Sequence, residues 1–230
     1  MKRCQIIILV FVILLLAGNA YAQSDKEILF RGVEWNLVGE AAQDAVAATV
    51  PNPQSIKWIT LSTNGGSYTT SDGRRVFVGG YQCGSSSFVP DGLVVADYPV
   101  SYIQLYFIPS EVDGTVHDSH EESIYVAANY LFSKTNINYI NLAFSDVRAK
   151  LISLYGMPDE EFSLDATDRG LYACKWNGSN GTSVELRTDA TKAADMDGFA
   201  LYYSCSDIGD RVEHLNELPL ARLVGSVDGL

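Results

Sequence analysis

The chain has 230 residues, of which 47% are hydrophobic and 19% are charged, so it has enough apolar side chains to build a buried core. This composition argues against an intrinsically disordered chain, a collagen or a coiled coil. Because 16 basic and 28 acidic residues give a formal net charge of -12, we expect no broad cationic surface and no nucleic-acid partner.

The first 22 residues have the pattern of a secretory signal peptide. A basic start at Lys2-Arg3 is followed by an uninterrupted apolar run over 6–17 and by Ala20-Tyr21-Ala22, a small-x-small cleavage site. The alternative is an uncleaved membrane anchor, but the run is shorter than the ~20 residues that a transmembrane helix needs. We therefore expect residues 1–22 to be removed, Gln23 to begin the mature protein, and the mature protein to be secreted or periplasmic without a stable membrane span.

Removal of this leader makes the remaining chain more acidic. The leader carries two of the 16 basic residues and none of the acidic ones, so residues 23–230 carry 14 basic against 28 acidic residues, a net charge of -14. Such a charge favours solubility and discourages binding to anionic lipid or cell-wall phosphate. It is compatible with a basic protein or another envelope component as a partner.

The periodicity of the first half of residues 23–230 alternates between helix and strand. An apolar stripe predicts a helix over 38–49, which Pro51 ends. Strands are predicted over 56–61, 75–78, 100–108 and 124–132. The last two are expected to pair as antiparallel neighbours on either side of an acidic loop.

The second half begins with the clearest helix pattern of the chain. It covers 141–156, with Gly156 as its C-cap. A meander of strands over 171–176, 183–187 and 199–205 follows, with a short helix near 212–218. Helices separated by strands with short turns predict an α+β fold, in which antiparallel sheet packs against two main helices. We expect one domain over 23–230, or two small halves that pack intimately.

Three cysteines remain after the leader is removed. Cys83, Cys174 and Cys205 are an odd number for an oxidising compartment, so we expect one disulfide and one buried thiol, with three pairings open. A catalytic thiol is the alternative, but none of the three has a His or Asn signature beside it in the sequence.

The segment between the predicted strands 100–108 and 124–132 is the sharpest local candidate for chemistry. Asp113, His117 and His120 lie there among further carboxylates, and two His three residues apart on a helical turn suit one metal ion. The alternative is a solvated acidic loop, since Gly114 is nearby and a zinc site usually has a third ligand of fixed geometry. An envelope hydrolase or metal-dependent enzyme that uses His117 and His120 is therefore the alternative function.

Alternation along the strand 100–108 places Tyr102, Gln104 and Tyr106 on one face. If that face is exposed, it is a flat, amphipathic platform suited to a protein or a sugar. We expect a helix to cover it instead, because large exposed apolar patches are uncommon on monomers.

Several short segments resemble a group of uncharacterised secreted bacterial proteins. The opening Phe30-Arg31-Gly32-x-x-Trp35 is similar to theirs, as are the sheet segment 96–101, the helix end Lys150 to Pro158 and the turn and strand 176–186. The resemblance implies an exported α+β module and no active site. The layout is also loosely similar to the β-lactamase-inhibitor-like and outer-membrane-assembly lipoprotein folds.

The opening motif has a structural interpretation of its own. Trp35 is large enough to pack against a sheet at the start of a helix, Gly32 permits a sharp entry, and Arg31 reaches a carboxylate or a carbonyl. We expect these residues to serve packing rather than ligand binding.

Other motifs indicate turns rather than sites. The pair Gly79-Gly80 has no Lys-Ser/Thr after it, so we expect no phosphate loop there, and Asp195-x-Asp197-Gly198 is interpreted as the turn into a strand. The sequence has no Gly-x-Ser-x-Gly elbow. We therefore predict a non-enzymatic binding module of the envelope or extracellular space, without a cofactor.

Overall fold

The computed structural model describes residues 27–61, 67–69, 75–77, 79–84, 92–117, 122–163, 172–188, 196–205 and 208–218. The helices in these ranges are α1 (Gly39–Ala48), α2 (Ile140–Tyr155) and α3 (Ile208–Glu217), and a 3-10 turn covers Pro53–Ser55. Within the described ranges, no helix is long and apolar enough to cross a membrane.

Strands make up most of the remaining structure. In chain order they are β1 (Ile59–Leu61), β2 (Ser67–Thr69), β3 (Arg75–Phe77), β4 (Gly79–Gly84), β5 (Val94–Val95), β6 (Tyr98–Pro99), β7 (Tyr102–Ile108), β8 (Ser110–Val112), β9 (Thr115–His117), β10 (Ile124–Ser133), β11 (Glu160–Ser163), β12 (Tyr172–Asn177), β13 (Ser183–Thr188) and β14 (Gly198–Ser204). Eight of these described strands form one sheet in the order β1-β4-β7-β10-β14-β13-β12-β11. The other six form three small hairpins.

The large sheet is assembled from two meanders. Strands β1, β4, β7 and β10 precede α2, and β11 to β14 follow it; every neighbouring pair in the sheet is antiparallel. The helix α2 carries the chain from β10 to the far edge at β11, and the second meander returns until β14 pairs with β10. This arrangement confirms the predicted α+β fold with antiparallel sheet, including the pairing of β7 with β10.

The described helices and the N-terminal segment lie on one face of the large sheet. On that face Phe144 of α2 meets Phe199 of β14 edge to face, with the ring centroids 5.5 Å apart. Phe30 of the N-terminal segment packs on Tyr130 of β10 at 4.6 Å. The core between these layers is one apolar cluster. We call this side the helix-covered face and the other side the open face.

The helix α2 forms where the sequence predicts it, for identifiable reasons. Its buried side chains, Ala143, Phe144, Val147 and Leu151, recur at helical spacing. The helix ends at Gly156, whose φ of 88° favours glycine and whose N–H donates to the Ile152 carbonyl at 2.9 Å.

The opening motif connects the N-terminal segment to the end of α1 and to the large sheet. The Arg31 guanidinium donates from Nη2 to the Thr49 carbonyl at 2.7 Å and from Nη1 to the Tyr130 hydroxyl at 3.1 Å. Trp35 donates from Nε1 to the Ile28 carbonyl at 3.1 Å, and its ring lies 4.8 Å from that of Tyr125. These contacts give the motif the packing role that its residue types predict.

The short strands differ most from the predictions. The region predicted as an acidic loop begins with the β8–β9 hairpin, whose turn is Asp113-Gly114 with positive φ at both residues. The glycine-rich strand β4 was not predicted at all. The predicted strand 56–61 is reduced to Ile59–Leu61.

The cysteines do not follow the predicted pattern of one disulfide and one thiol. All three are buried, and none forms a disulfide. Cys83 and Cys174 lie in one row across the sheet, with four strands between them. At the usual strand spacing their Cα atoms are about 24 Å apart, whereas a disulfide needs Cα atoms within about 7 Å. Cys205 lies four residues beyond Leu201 of that row, a distance of about 13 Å along the strand direction, so it is also too far away.

Candidate functional site: the open face of the sheet

The strand register places one side chain from each of seven neighbouring strands in a single row on the open face. Side chains alternate between the two faces of a strand, so residues that pair directly across a ladder share a face. The row, which we call the polar row, consists of Gln82, Gln104, Asn129, Tyr202, Glu185, Lys175 and Glu160.

The centre of the polar row is a network of amides and a phenol. The Gln104 amide donates from Nε2 to Gln82 Oε1 at 3.0 Å. Its Oε1 accepts from the Tyr106 hydroxyl at 2.7 Å and from Asn129 Nδ2 at 3.1 Å. Asn129 Nδ2 also lies 3.0 Å from the Tyr106 hydroxyl. Gln104 therefore fixes the side chains of three neighbouring strands relative to one another.

Aromatic and paired charged groups continue the polar row beyond this centre. The Tyr202 ring lies 6.1 Å from the Tyr106 ring, and the Arg187 guanidinium lies over Tyr202 at 5.4 Å from its centroid. Arg187 in turn donates to both carboxylate oxygens of Glu185, at 2.5 and 2.6 Å. The row ends in an ion pair between Lys175 Nζ and Glu160 Oε1 at 3.5 Å.

The expected helix cover does not lie on this face in the described part of the chain. Tyr102, Gln104 and Tyr106 are each half-buried, and burial raises the pKa of Tyr102. On the other face, α2 contacts Phe199 of β14 and Cys174 of β12, and Trp35, which precedes α1, contacts Tyr125 of β10. The three predicted residues thus belong to one layer of side chains on the face opposite the helices.

The charges on the open face cancel. The described strands place Glu160, Lys175, Glu185 and Arg187 on it, and these form two ion pairs. The whole chain carries a formal net charge of -12, so a face without net charge differs from the average of the molecule. Its remaining hydrogen-bonding groups are chiefly amides and phenols, which both donate and accept hydrogen bonds.

The residues of the predicted metal site are only partly placed. His117, in β9, is 3.1 Å from Glu122 through its Nδ1. Asp113 lies on the hairpin turn, three residues beyond Ser110, which pairs with His117, so the two are separated by about 10 Å along the strand direction. His120 lies outside the described residues, and among the described ones no cluster of three potential ligands occurs. A metal site that joins His117 and His120 stays a prediction.

A cleft lies on the helix-covered side. A cleft of about 300 Å³ separates the β5–β6 turn from α2 and is lined by Ala96, Asp97, Asp146, Ala149 and Lys150. The Tyr98 hydroxyl donates to Asp146, and this bond raises the pKa of Tyr98. No motif points to the cleft, because packing of the hairpin on α2 brings these residues together from distant parts of the chain.

Comparison of the chain with protein-family models, with curated proteins and with solved structures gives no match. The resemblance to secreted bacterial proteins therefore stays a prediction. The geometry and charge of the open face are the features that bear on function.

Proposed function

We propose that the protein is an exported, non-enzymatic binding module of the cell envelope or extracellular space, and that it holds its partner on the open face of the sheet. The observation that carries this proposal is the polar row, a layer of amide, phenol and paired charged groups on neighbouring strands opposite the described helices. Export is supported by the pattern of residues 1–22.

The groups of the polar row suit recognition better than catalysis. Amides do not titrate, and the pKa of Tyr102 is raised, so its hydroxyl stays protonated at neutral pH. The two cations of the face are each paired with a carboxylate. A fixed array of donors and acceptors on rigid strands is the arrangement that a binding surface needs.

The large rings on this face favour a partner that lies flat on it. Tyr106 and Tyr202 present ring area together with a hydroxyl, and tyrosine is enriched at binding surfaces because it combines both. Hydrogen bonds to side chains of the adjacent strands hold Gln104 and Tyr106 in place before a partner arrives. Less conformational entropy is lost on binding when side chains are already ordered.

The proposal is tested by sedimentation of purified protein with the envelope fraction of the cells that produce it. We expect the double variant Gln104→Ala/Tyr106→Ala to bind at least tenfold more weakly than the wild type, because residues at the centre of an interface commonly contribute more than about 1.4 kcal/mol. The matched control is Leu142→Ala/Leu154→Ala on α2, at positions that are 53% and 70% exposed.

The control variant should bind like the wild type, and circular dichroism should show that both variants are folded. Equal loss of binding in both variants, or unchanged binding in the open-face variant, would contradict the proposal.

A further inference from the structure

The chemistry of the open face also indicates what kind of partner it takes. We infer that the ligand is an uncharged polysaccharide chain that lies along the polar row; this inference rests on the proposed function. Length, hydrogen-bonding groups and charge support it independently of one another.

The polar row is long enough for a chain rather than for a single small molecule. From Gln82 on β4 to Glu185 on β13 it crosses five neighbouring strands, which at the usual strand spacing is about 19 Å. The ligand is therefore expected to be extended and to run across the strands. The row is a layer of mostly half-buried side chains in which Asn129 is buried at 8% exposure, so the ligand would contact chiefly the half-buried amides and phenols beside Asn129.

The hydrogen-bonding groups match those of a polyhydroxylated ligand. A sugar hydroxyl both donates and accepts, and an amide side chain offers two donors and one acceptor oxygen in one plane. In the described structure Gln104 Nε2 donates to Gln82, and Gln82 Nε2 donates to the Gly84 carbonyl, so one N–H of each amide remains for a ligand or for water. The Tyr106 and Tyr202 rings lie beside them, and the Arg187 guanidinium lies over the Tyr202 ring.

The absence of net charge on the described strands of the open face favours an uncharged ligand over the charged candidates. A basic protein would be held by an excess of carboxylates, and an anionic lipid or a nucleic acid by an excess of cations. The described strands place equal numbers of each sign on the open face, already paired. The seven side chains of the polar row are all polar or phenolic, and the aliphatic Ile59, which pairs with Gln82, lies beyond its outer end on β1. The buried centre of a protein interface, in contrast, is depleted of charge and more apolar. A neutral polysaccharide needs neither excess charge nor an apolar centre.

The test treats the envelope fraction in two ways before sedimentation with the wild-type protein. Periodate cleaves the vicinal diols of sugars, and exhaustive protease digestion removes proteins. We expect periodate to lower the bound fraction at least fivefold and protease to change it less than twofold. Binding should also change less than twofold between 50 and 500 mM NaCl, roughly as expected for an uncharged ligand that salt does not screen.

The outcomes separate this inference from the proposed function. If protease abolishes binding and periodate does not, the inference is wrong, while dependence of that binding on Gln104 and Tyr106 would still support an open-face module. Steep loss of binding with salt would point to a charged partner and would also overturn the inference. Absence of binding to the untreated fraction would overturn the proposed function itself.

Discussion

Tyr125 and Tyr130 are both buried on the helix-covered face of β10, and their hydroxyls differ in one contact. The Tyr130 hydroxyl accepts a hydrogen bond from Arg31 at 3.1 Å. The Tyr125 hydroxyl is buried without a partner among the described residues. An unsatisfied buried polar group destabilises a fold, whereas a bonded one contributes to its stability.

The same substitution at these two positions should therefore have opposite effects. We expect Tyr125→Phe to raise the free energy of unfolding by about 1 kcal/mol, and Tyr130→Phe to lower it by about 1 to 2 kcal/mol because Arg31 loses an acceptor. Urea unfolding at pH 7 measures both. Destabilisation of equal size in the two variants would show that the Tyr125 hydroxyl has a partner.

Burial of these phenols also predicts how stability depends on alkaline pH. Burial raises the pKa of Tyr125 and Tyr130 above the ordinary value of 10, so above pH 10 the unfolded chain releases protons that the folded chain keeps. The free energy of unfolding then falls by about 1.4 kcal/mol per pH unit for each such tyrosine, and this stabilisation is fully present below pH 10. In Tyr125→Phe the slope above pH 10 should be smaller by about that amount, measured by urea unfolding at successive pH values. An unchanged slope would mean that Tyr125 ionises as easily in the folded as in the unfolded protein.

At the level of elements, the helices were predictable because local signals determine them. The predicted 38–49 and 141–156 agree to within one residue with Gly39–Ala48 and Ile140–Tyr155, since an apolar stripe and a terminating residue mark each. Strand β4 was missed because its glycines remove the alternation that identifies a strand. The β8–β9 hairpin was missed because its strands are three residues long and largely polar.

The candidate site shows the same division between local and long-range information. Alternation within β7 predicted that Tyr102, Gln104 and Tyr106 share a face. The rest of the polar row, such as Asn129 and Tyr202, depends on the register between strands that are far apart in the sequence. Register is set by tertiary packing and turn geometry, so one strand's pattern does not specify it.

The junction of the two meanders depends on a glycine at the start of β14. A Cβ added to Gly198 would lie 2.5 Å from the carbonyl oxygen of Phe132 on β10, which is backbone and cannot swing away. We expect Gly198→Ala to lower the free energy of unfolding by about 2 to 3 kcal/mol, measured by urea unfolding. The same change at Gly209 of α3 meets no atom within 4 Å and should be neutral or stabilising by up to about 1 kcal/mol, since alanine favours helices. Equal effects at the two positions would contradict this account of the β10–β14 junction.

At the scale of the whole molecule, the sheet keeps the cysteines apart. Because Cys83, Cys174 and Cys205 are buried thiols on separated parts of the sheet, we expect the native protein to react slowly with a thiol reagent. After denaturation without reductant, the protein lacking residues 1–22 should titrate three thiols. A single titratable thiol would instead demonstrate a disulfide and a different arrangement of strands.

In the proposed function, one face of the sheet provides stability and the other provides recognition. The helix-covered face holds the apolar core, whereas the open face carries the hydrogen-bonded amides and tyrosines of the polar row. Substitutions on the helix-covered face are expected to change the free energy of unfolding. Substitutions of exposed groups on the open face are expected to change binding. This separation is the central claim of the proposed function.

Hydroxyl-radical footprinting with and without the envelope fraction tests that claim most directly, because it reports which tyrosines a partner shields. We predict that oxidation of Tyr102, Tyr106 and Tyr202 on the open face slows at least threefold when the protein is bound. Tyr139, which precedes α2 and is 72% exposed, should react at the same rate in both states. Shielding of Tyr139 with no change at the three open-face tyrosines would contradict the account.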